Sequence, residues 1–104
     1  MPMENSDLYV GLIRLHILHH ASKGPVFGLW IIEELGRHGY RLSPGTLYPI
    51  LHELERGGYL VSERRLANGR FRRSYSITGP GREALEGAKV KIRELFGELF
   101  EGES

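Results

Sequence analysis

Leu42-Ser43-Pro44-Gly45-Thr46-Leu47-Tyr48-Pro49-Ile50-Leu51-His52-Glu53-Leu54-Glu55-Arg56-Gly57-Gly58 spells a helix with a start, a stop and two unlike faces. Ser43 suits the N-cap, where its hydroxyl accepts a hydrogen bond from an otherwise unpaired N–H of the first turn. Pro44 takes the first helical position, where its missing N–H costs nothing. Gly57 and Gly58 end the helix, because glycine tolerates the left-handed conformation that closes many helices. Leu47, Ile50, Leu51 and Leu54 recur at helical spacing as an apolar stripe, and Ser43, Thr46, Tyr48, His52 and Glu55 fall mainly off it. Pro49 breaks the pattern. At the sixth position it removes an intrahelical hydrogen bond and crowds the preceding turn, so a kink is expected there, or a helix whose regular part begins nearer Leu47.

By itself this is an ordinary amphipathic helix with a solvated back. Its polar side nevertheless gathers short hydrogen-bonding groups and an aromatic hydroxyl near the N-terminus. A helix whose N-terminal end enters a DNA major groove needs such groups to read base edges, and its free N–H groups bind phosphate.

The flanking segments decide between the two readings. Upstream, Ser22-Lys23-Gly24-Pro25 is a turn, with Pro25 placed to start a second helix over residues 26–37. Its apolar positions are Phe27, Trp30, Ile31, Ile32 and Leu35, and Trp30 is expected in the core rather than in a ligand site. Gly28 inside that helix costs about 1 kcal/mol in propensity, which suggests a close backbone neighbour. His38-Gly39-Tyr40-Arg41-Leu42 then turns into the central helix, and the pair makes a helix-turn-helix. Downstream the period becomes alternating. Residues 59–66 and 70–77 suit strands, joined through Ala67-Asn68-Gly69, and Asn-Gly is the strongest short hairpin signal. The hairpin carries Arg64, Arg65, Arg70, Arg72 and Arg73 against the single acid Glu63. Alone it reads as a solvated face. Directly after a helix-turn-helix it completes a winged helix, with the wing arginines placed along the phosphate backbone or in the minor groove.

Residues 1–6 form a short polar lead, and Asp7 is placed to cap a first helix ending near Ala21. Its apolar residues, Leu8, Tyr9, Val10, Leu12, Ile13, Leu15, Ile17, Leu18 and Ala21, make more than one stripe, so both sides need covering. A partner subunit is the simplest cover for the second. At the other end, Thr78-Gly79-Pro80-Gly81 caps a helix over residues 82–100. There Leu85, Ala88, Ile92, Leu95 and Leu99 follow the a and d spacing of a heptad, widened by Phe96 and Phe100. Two heptads do not prove a coiled coil, and packing within the monomer is the alternative. The reading adopted is a dimer seam formed with the partner's last and first helices, the latter through Leu8, Leu12 and Leu15.

The chain has 104 residues, of which 40% are hydrophobic. That supports one small domain of the α+β class, mostly α: a winged helix-turn-helix with a two-stranded wing over residues 7–78 and a C-terminal dimerisation helix over residues 79–100. Basic and acidic residues nearly balance at 14 and 13, so net charge is silent about nucleic acid and the local clustering speaks instead. Cysteine is absent, which removes disulfides, thiol nucleophiles and thiolate metal sites. No apolar run reaches membrane-spanning length and no signal pattern opens the chain; a soluble, cytoplasmic protein without a membrane partner is the expectation.

Together these residues resemble the PadR family of bacterial and archaeal transcriptional regulators, particularly its short-form members. The likeness runs from about Leu12 to Phe100. It is most specific in Ser43-Pro44-Gly45-Thr46-Leu47-Tyr48-Pro49-Ile50-Leu51, then Leu54-Glu55 and Gly58-Tyr59-Leu60. Arg72-Arg73-Ser74-Tyr75-Ser76-Ile77-Thr78 and Gly24-Pro25-Val26-Phe27-Gly28 also match. Pro49 belongs to the family pattern. The resemblance implies a dimeric repressor of double-stranded DNA operators. It also implies that some members release DNA when a small aromatic effector, a phenolic acid or a planar drug, binds between the subunits. The family's DNA contacts map onto the third helix and wing, here Ser43, Pro44, Gly45, Thr46, Tyr48, Pro49, His52 and the five wing arginines.

Three other functions compete. An enzyme would need a positioned acid-base pair; His52 with Glu53 or Glu55 is the nearest candidate, on an exposed helix with no nucleophile, so catalysis is not expected. A metal-responsive regulator has more support, because His16, His19 and His20 share the first helix and His16 and His20 stand one turn apart. Two imidazoles leave the coordination shell incomplete unless a partner or glutamates finish it, so neither metal nor cofactor is expected. A protein-interaction module has no use for five basic groups on one hairpin.

Overall fold

The reading helix appears where its caps place it. In a computed structural model that describes residues 5–101, it spans Pro44–Arg56, with the Ser43 hydroxyl accepting from the Thr46 N–H at 3.3 Å. The chain order is α1 (Asn5–Ala21), β1 (Val26–Phe27), α2 (Gly28–Arg37), α3 (Pro44–Arg56), β2 (Leu60–Ala67), β3 (Arg70–Ile77) and α4 (Gly79–Phe96), the last continued by a π-helical turn at Gly97–Glu101. α3 runs unbroken through Pro49, starting at Pro44 rather than nearer Leu47. The helix closes as expected, Gly58 taking a left-handed φ of +86° while the Tyr59 N–H donates back to the Leu54 carbonyl at 2.9 Å.

Leu47, Leu51 and Leu54 of α3 are buried against Ile13, Ile17, Leu18 and Ala21 of α1, Ile31 and Leu35 of α2, and Leu60, Tyr75 and Leu85. These side chains form one core, which the hydrophobic effect holds in proportion to the apolar area removed from water. The wing is a two-residue hairpin: Ala67 pairs with Arg70, and Asn68 and Gly69 both carry positive φ, +52° and +76°. Positive φ at both central residues is the signature of the turn whose twist matches its flanking strands.

Several expectations need correction. Val26 and Phe27 are not helical; they form β1, antiparallel to Tyr75 and Ser74 of β3, so the sheet has three strands in the order β1-β3-β2. A two-residue strand is too short for a period to reveal it. Gly28 therefore opens α2, and what crowds it is a side chain, not a backbone: a Cβ there would stand 2.6 Å from the Tyr48 hydroxyl oxygen. Trp30 is not core but 43% exposed. α1 begins at Asn5, which puts Asp7 in its first turn instead of at the cap. Of the polar lead, residues 1–4 lie outside the described residues. α4 begins at Gly79, capped by Thr78, whose hydroxyl accepts from the Gly81 N–H at 3.0 Å and donates to the Gly58 carbonyl at 2.6 Å. Gly81 is obligatory here, since a Cβ would collide with the Tyr59 carbonyl oxygen and the Ile77 side chain.

Leu85, assigned to the dimer seam by its spacing, is buried in the chain's own core. Its place near the start of α4 explains this, because only the first turns of that helix lie against the winged unit. Leu15 is likewise partly buried against the core. Beyond Ala88, the helix leaves the domain, and Ile92, Leu95, Phe96, Leu99 and Phe100 are all exposed. Leu8 and Leu12 on α1 are exposed too. Among the described residues, therefore, nothing covers the second apolar side of α1.

Candidate nucleic-acid interface

Burial sorts the faces of α3. With about 100° per residue in an α-helix, Gly45, Pro49, His52 and Arg56 fall within roughly 60° of one another, opposite the core stripe. All four are exposed, as are Ser43, Pro44 and Thr46 at the N-terminal end. Arg56 belongs to this open face although its position near the stop glycines drew no attention in the sequence; the same 3.6-residue period that located the apolar stripe could have found it. Arg41, exposed two residues before the N-cap, is a second basic group at this end.

The flanks of the open face are occupied. Glu53 receives a hydrogen bond from the Arg14 guanidinium of α1 at 2.9 Å. Glu55 accepts from both the Ser62 hydroxyl, at 2.6 Å, and the Ser62 N–H, at 3.2 Å, and Arg73 donates to the same hydroxyl oxygen at 3.1 Å. This chain of bonds ties the wing's base to α3, so reading helix and wing keep one relative orientation. Tyr75 is buried beneath it, and its phenol is pushed above the ordinary tyrosine value by burial first, then by Glu55, with Arg73 opposing. Neither glutamate is left to act with His52 as an acid-base pair. Tyr48 is only partly exposed. Its ring covers Gly28 and faces a shallow cleft shared with Leu29, Phe71, Arg72 and Arg73, so it joins the two helices and the wing as well as bordering the open face.

The wing's register concentrates its charge. Arg64 stands directly across from Arg73, and Arg65 across from Arg72, on consecutive rungs; Arg70 pairs with Ala67. Because side chains alternate across a strand, Arg64 and Arg73 share one face with Leu66 and Phe71, and Arg65, Arg70 and Arg72 share the other. All five are exposed. Like charges directly opposite destabilise a sheet, and little here relieves them. Arg64 lies 4.5 Å over the Phe71 ring, and Arg65 approaches Glu63 at 3.6 Å in an exposed pair, which is worth little in water. Two rungs of facing arginines thus put four positive charges on a hairpin whose base is tied to α3.

The sequence model described as the transcriptional regulator PadR-like family matches residues 17–87, from within α1 into α4. The transcriptional regulator Rv3488 of Mycobacterium tuberculosis is 54% identical over 92 residues, covering 88% of this chain and 86% of that one. Among solved structures, a PadR-like transcription factor from Bacteroides fragilis superposes with a TM-score of 0.79 at 27% identity, covering 91% of this chain and 93% of the other. A PadR family transcriptional regulator from Eggerthella lenta gives a TM-score of 0.79 at 26% identity, covering 89% and 82%. These relatives regulate transcription and are not enzymes. No helix among the described residues is long and apolar enough to cross a membrane.

Proposed function

The chain belongs to the PadR-like family of transcriptional regulators, and we propose that it acts as a homodimeric repressor which grips operator DNA with α3 and the wing. The observation that carries this reading is the pair of arginine rungs, Arg64 with Arg73 and Arg65 with Arg72, whose mutual repulsion is relieved when phosphates come between and around them. The dimer sets the two α3 helices in successive major grooves, about 34 Å apart on one face of the duplex. The wing arginines neutralise phosphates and supply most of the affinity. Ser43, Thr46, Tyr48 and His52 set the register and read base edges, joined by Arg56 at the far end of the open face. The exposed apolar residues of α4 and α1 form the seam between subunits. A small aromatic effector held there releases DNA to the extent that it prefers the subunit geometry that cannot span both half-sites.

Gly45 supplies a specific test. Nothing among the described residues requires glycine there: it is exposed, its φ is not positive, and a Cβ would meet only the Ser43 hydroxyl oxygen, at 3.8 Å. A missing side chain at the second position of α3 makes sense if DNA backbone approaches the free N–H groups of that helix end. Gly45→Ala is therefore expected to raise stability by up to about 1 kcal/mol through helix propensity, while weakening DNA binding. Thermal melts and a gel-shift titration on the same protein check both halves; unimpaired binding would remove Gly45 from the interface.

The direct test of repression is binding to the DNA upstream of the protein's own coding region, compared with a scrambled duplex over a salt series. Tight binding to the native duplex only, with a log–log slope of roughly −5 to −9 for six to ten phosphates, is the expected outcome. No binding even at low salt would leave the wing without its proposed role.

A further inference from the structure

The fold assembles a third imidazole onto the first-helix pair. His38 follows α2 immediately, far from α1 in sequence, yet one nitrogen each from His16, His20 and His38 lies within 4.8 Å of the other two. The His16 ring stacks on His38 at 5.1 Å between centroids and on His20 at 6.3 Å. Glu34, one turn before His38, brings its Oε2 to 3.0 Å from His38 Nε2 and 3.7 Å from His20 Nε2. The second of these distances is too long for a hydrogen bond, and His20 Nε2 is buried with no hydrogen-bond partner. A buried, unpaired ring nitrogen costs free energy unless something else satisfies it. The geometry points to a site for a divalent transition-metal ion of the zinc class, held by His16, His20 and His38, with Glu34, which already reaches His38 and stands beside His20, swinging in as the fourth ligand.

The donor set selects the metal. Three imidazoles and one carboxylate suit Zn²⁺, Co²⁺ or Ni²⁺, and they do not suit Ca²⁺ or Mg²⁺, which prefer all-oxygen shells. Zinc–nitrogen bonds of about 2.0–2.1 Å in a tetrahedron set the nitrogens roughly 3.3–3.4 Å apart, so an ion draws the three together from separations of up to 4.8 Å. His38 is exposed at the C-cap and has room to turn. In the metal-free protein His38 Nε2 donates to Glu34; moving that ring's proton to Nδ1 frees Nε2 for the ion. Two of the rings, His16 and His20, are also disposed to be neutral, the form that binds metal. Burial first, then His38 and His19, holds His16 below the ordinary histidine value with Glu34 opposing. Burial first, then His19, does the same for His20, again against Glu34. Access is open, because His20 and Glu34 line a surface cleft together with Trp30, Val26 and Phe27. Trp30 meets the His20 ring edge-on at 5.3 Å and closes one side of the site, which accounts for a tryptophan left outside the core.

An ion here would join α1, which bears the exposed Leu8 and Leu12, to the C-terminal end of α2, and so brace the helix-turn-helix against the element placed at the subunit seam. The site stands independently of the DNA reading and is tested without DNA. Metal-free full-length protein is titrated with Co²⁺, then with Zn²⁺ in competition with a chromophoric chelator. One Co²⁺ per chain is expected, with visible absorption of tetrahedral intensity that one equivalent of Zn²⁺ abolishes, and with thermal stability rising as the ion concentration passes its Kd. His16→Ala and His38→Ala should each weaken Zn²⁺ at least tenfold, and Glu34→Gln by tenfold or more, whereas His19→Ala, outside the trio, should change it less than threefold. His38 is exposed, so its variant keeps the fold, as circular dichroism will show. Absence of binding at micromolar ion, or binding that survives both His16→Ala and His38→Ala, would overturn the proposal.

Discussion

If the proposed dimer holds, Leu95→Asp is expected to give a folded monomer and to cost operator affinity a factor of roughly 10² to 10⁴, because the second half-site would no longer be bound intramolecularly. Leu95 is 54% exposed on the part of α4 that has left the domain, flanked one turn away by Ile92 and Leu99, with the Phe96 and Phe100 rings in contact beside it at 4.9 Å between centroids. Burying a leucine of this kind against a partner contributes about 1.5–3 kcal/mol, and an aspartate in its place leaves an unpaired carboxylate in the seam. The fold does not depend on Leu95, since none of the core residues comes from that part of the helix. Leu85→Asp is the contrasting variant. Leu85 is 7% exposed inside the protomer core, so its replacement should unfold the chain rather than separate two folded copies. Sedimentation and circular dichroism on both variants distinguish the two roles. A Leu95→Asp protein that keeps dimer mass would move the seam elsewhere.

Removing the facing pair Arg65 and Arg72 together should weaken binding to every DNA sequence alike and flatten the log–log salt dependence of the dimer by about 3.6, two phosphate contacts per subunit at about 0.9 each. The same double variant, Arg65→Ala with Arg72→Ala, should melt at an equal or higher temperature, because two like charges opposite one another oppose strand pairing by roughly 0.2–1 kcal/mol. Loss of function with no loss of stability is the signature of a charge retained for a partner. Arg73→Ala should behave differently, since Arg73 also holds Ser62 in the network that joins the wing to α3; it loosens the hairpin's mounting as well as removing a charge. A salt series and thermal melts on the two proteins check this. If the Arg65 and Arg72 variant instead changed sequence preference at an unaltered slope, the wing would be reading bases and the division of labour with α3 would be reversed.

Much of the winged helix was legible because its signals are local. A serine–proline start, an apolar stripe with helical period and a glycine stop describe α3 by residues within reach of one another, and Asn68-Gly69 sets the hairpin because only its turn type accepts two positive φ angles in succession. Contacts between distant segments were not legible. The sequence offers Tyr48 only as a groove contact, and only packing shows that its ring covers Gly28. The alternation of the arginines over both wing faces needed the register of β2 against β3.

The sequence by itself determined the four helices, the hairpin, the caps of α3 and α4 and the concentration of positive charge on one hairpin, since each of these follows from neighbouring residues and a period. Tertiary structure alone decided where the heptad pattern of α4 changes owner, inward at Leu85 and outward from Ile92, because a helix's apolar stripe records that it will be buried but not by which chain. It alone also brought His38 to His16 and His20. Ligand geometry is a property of distances in space, and no spacing along the chain encodes the crossing of α2 over α1 that creates it.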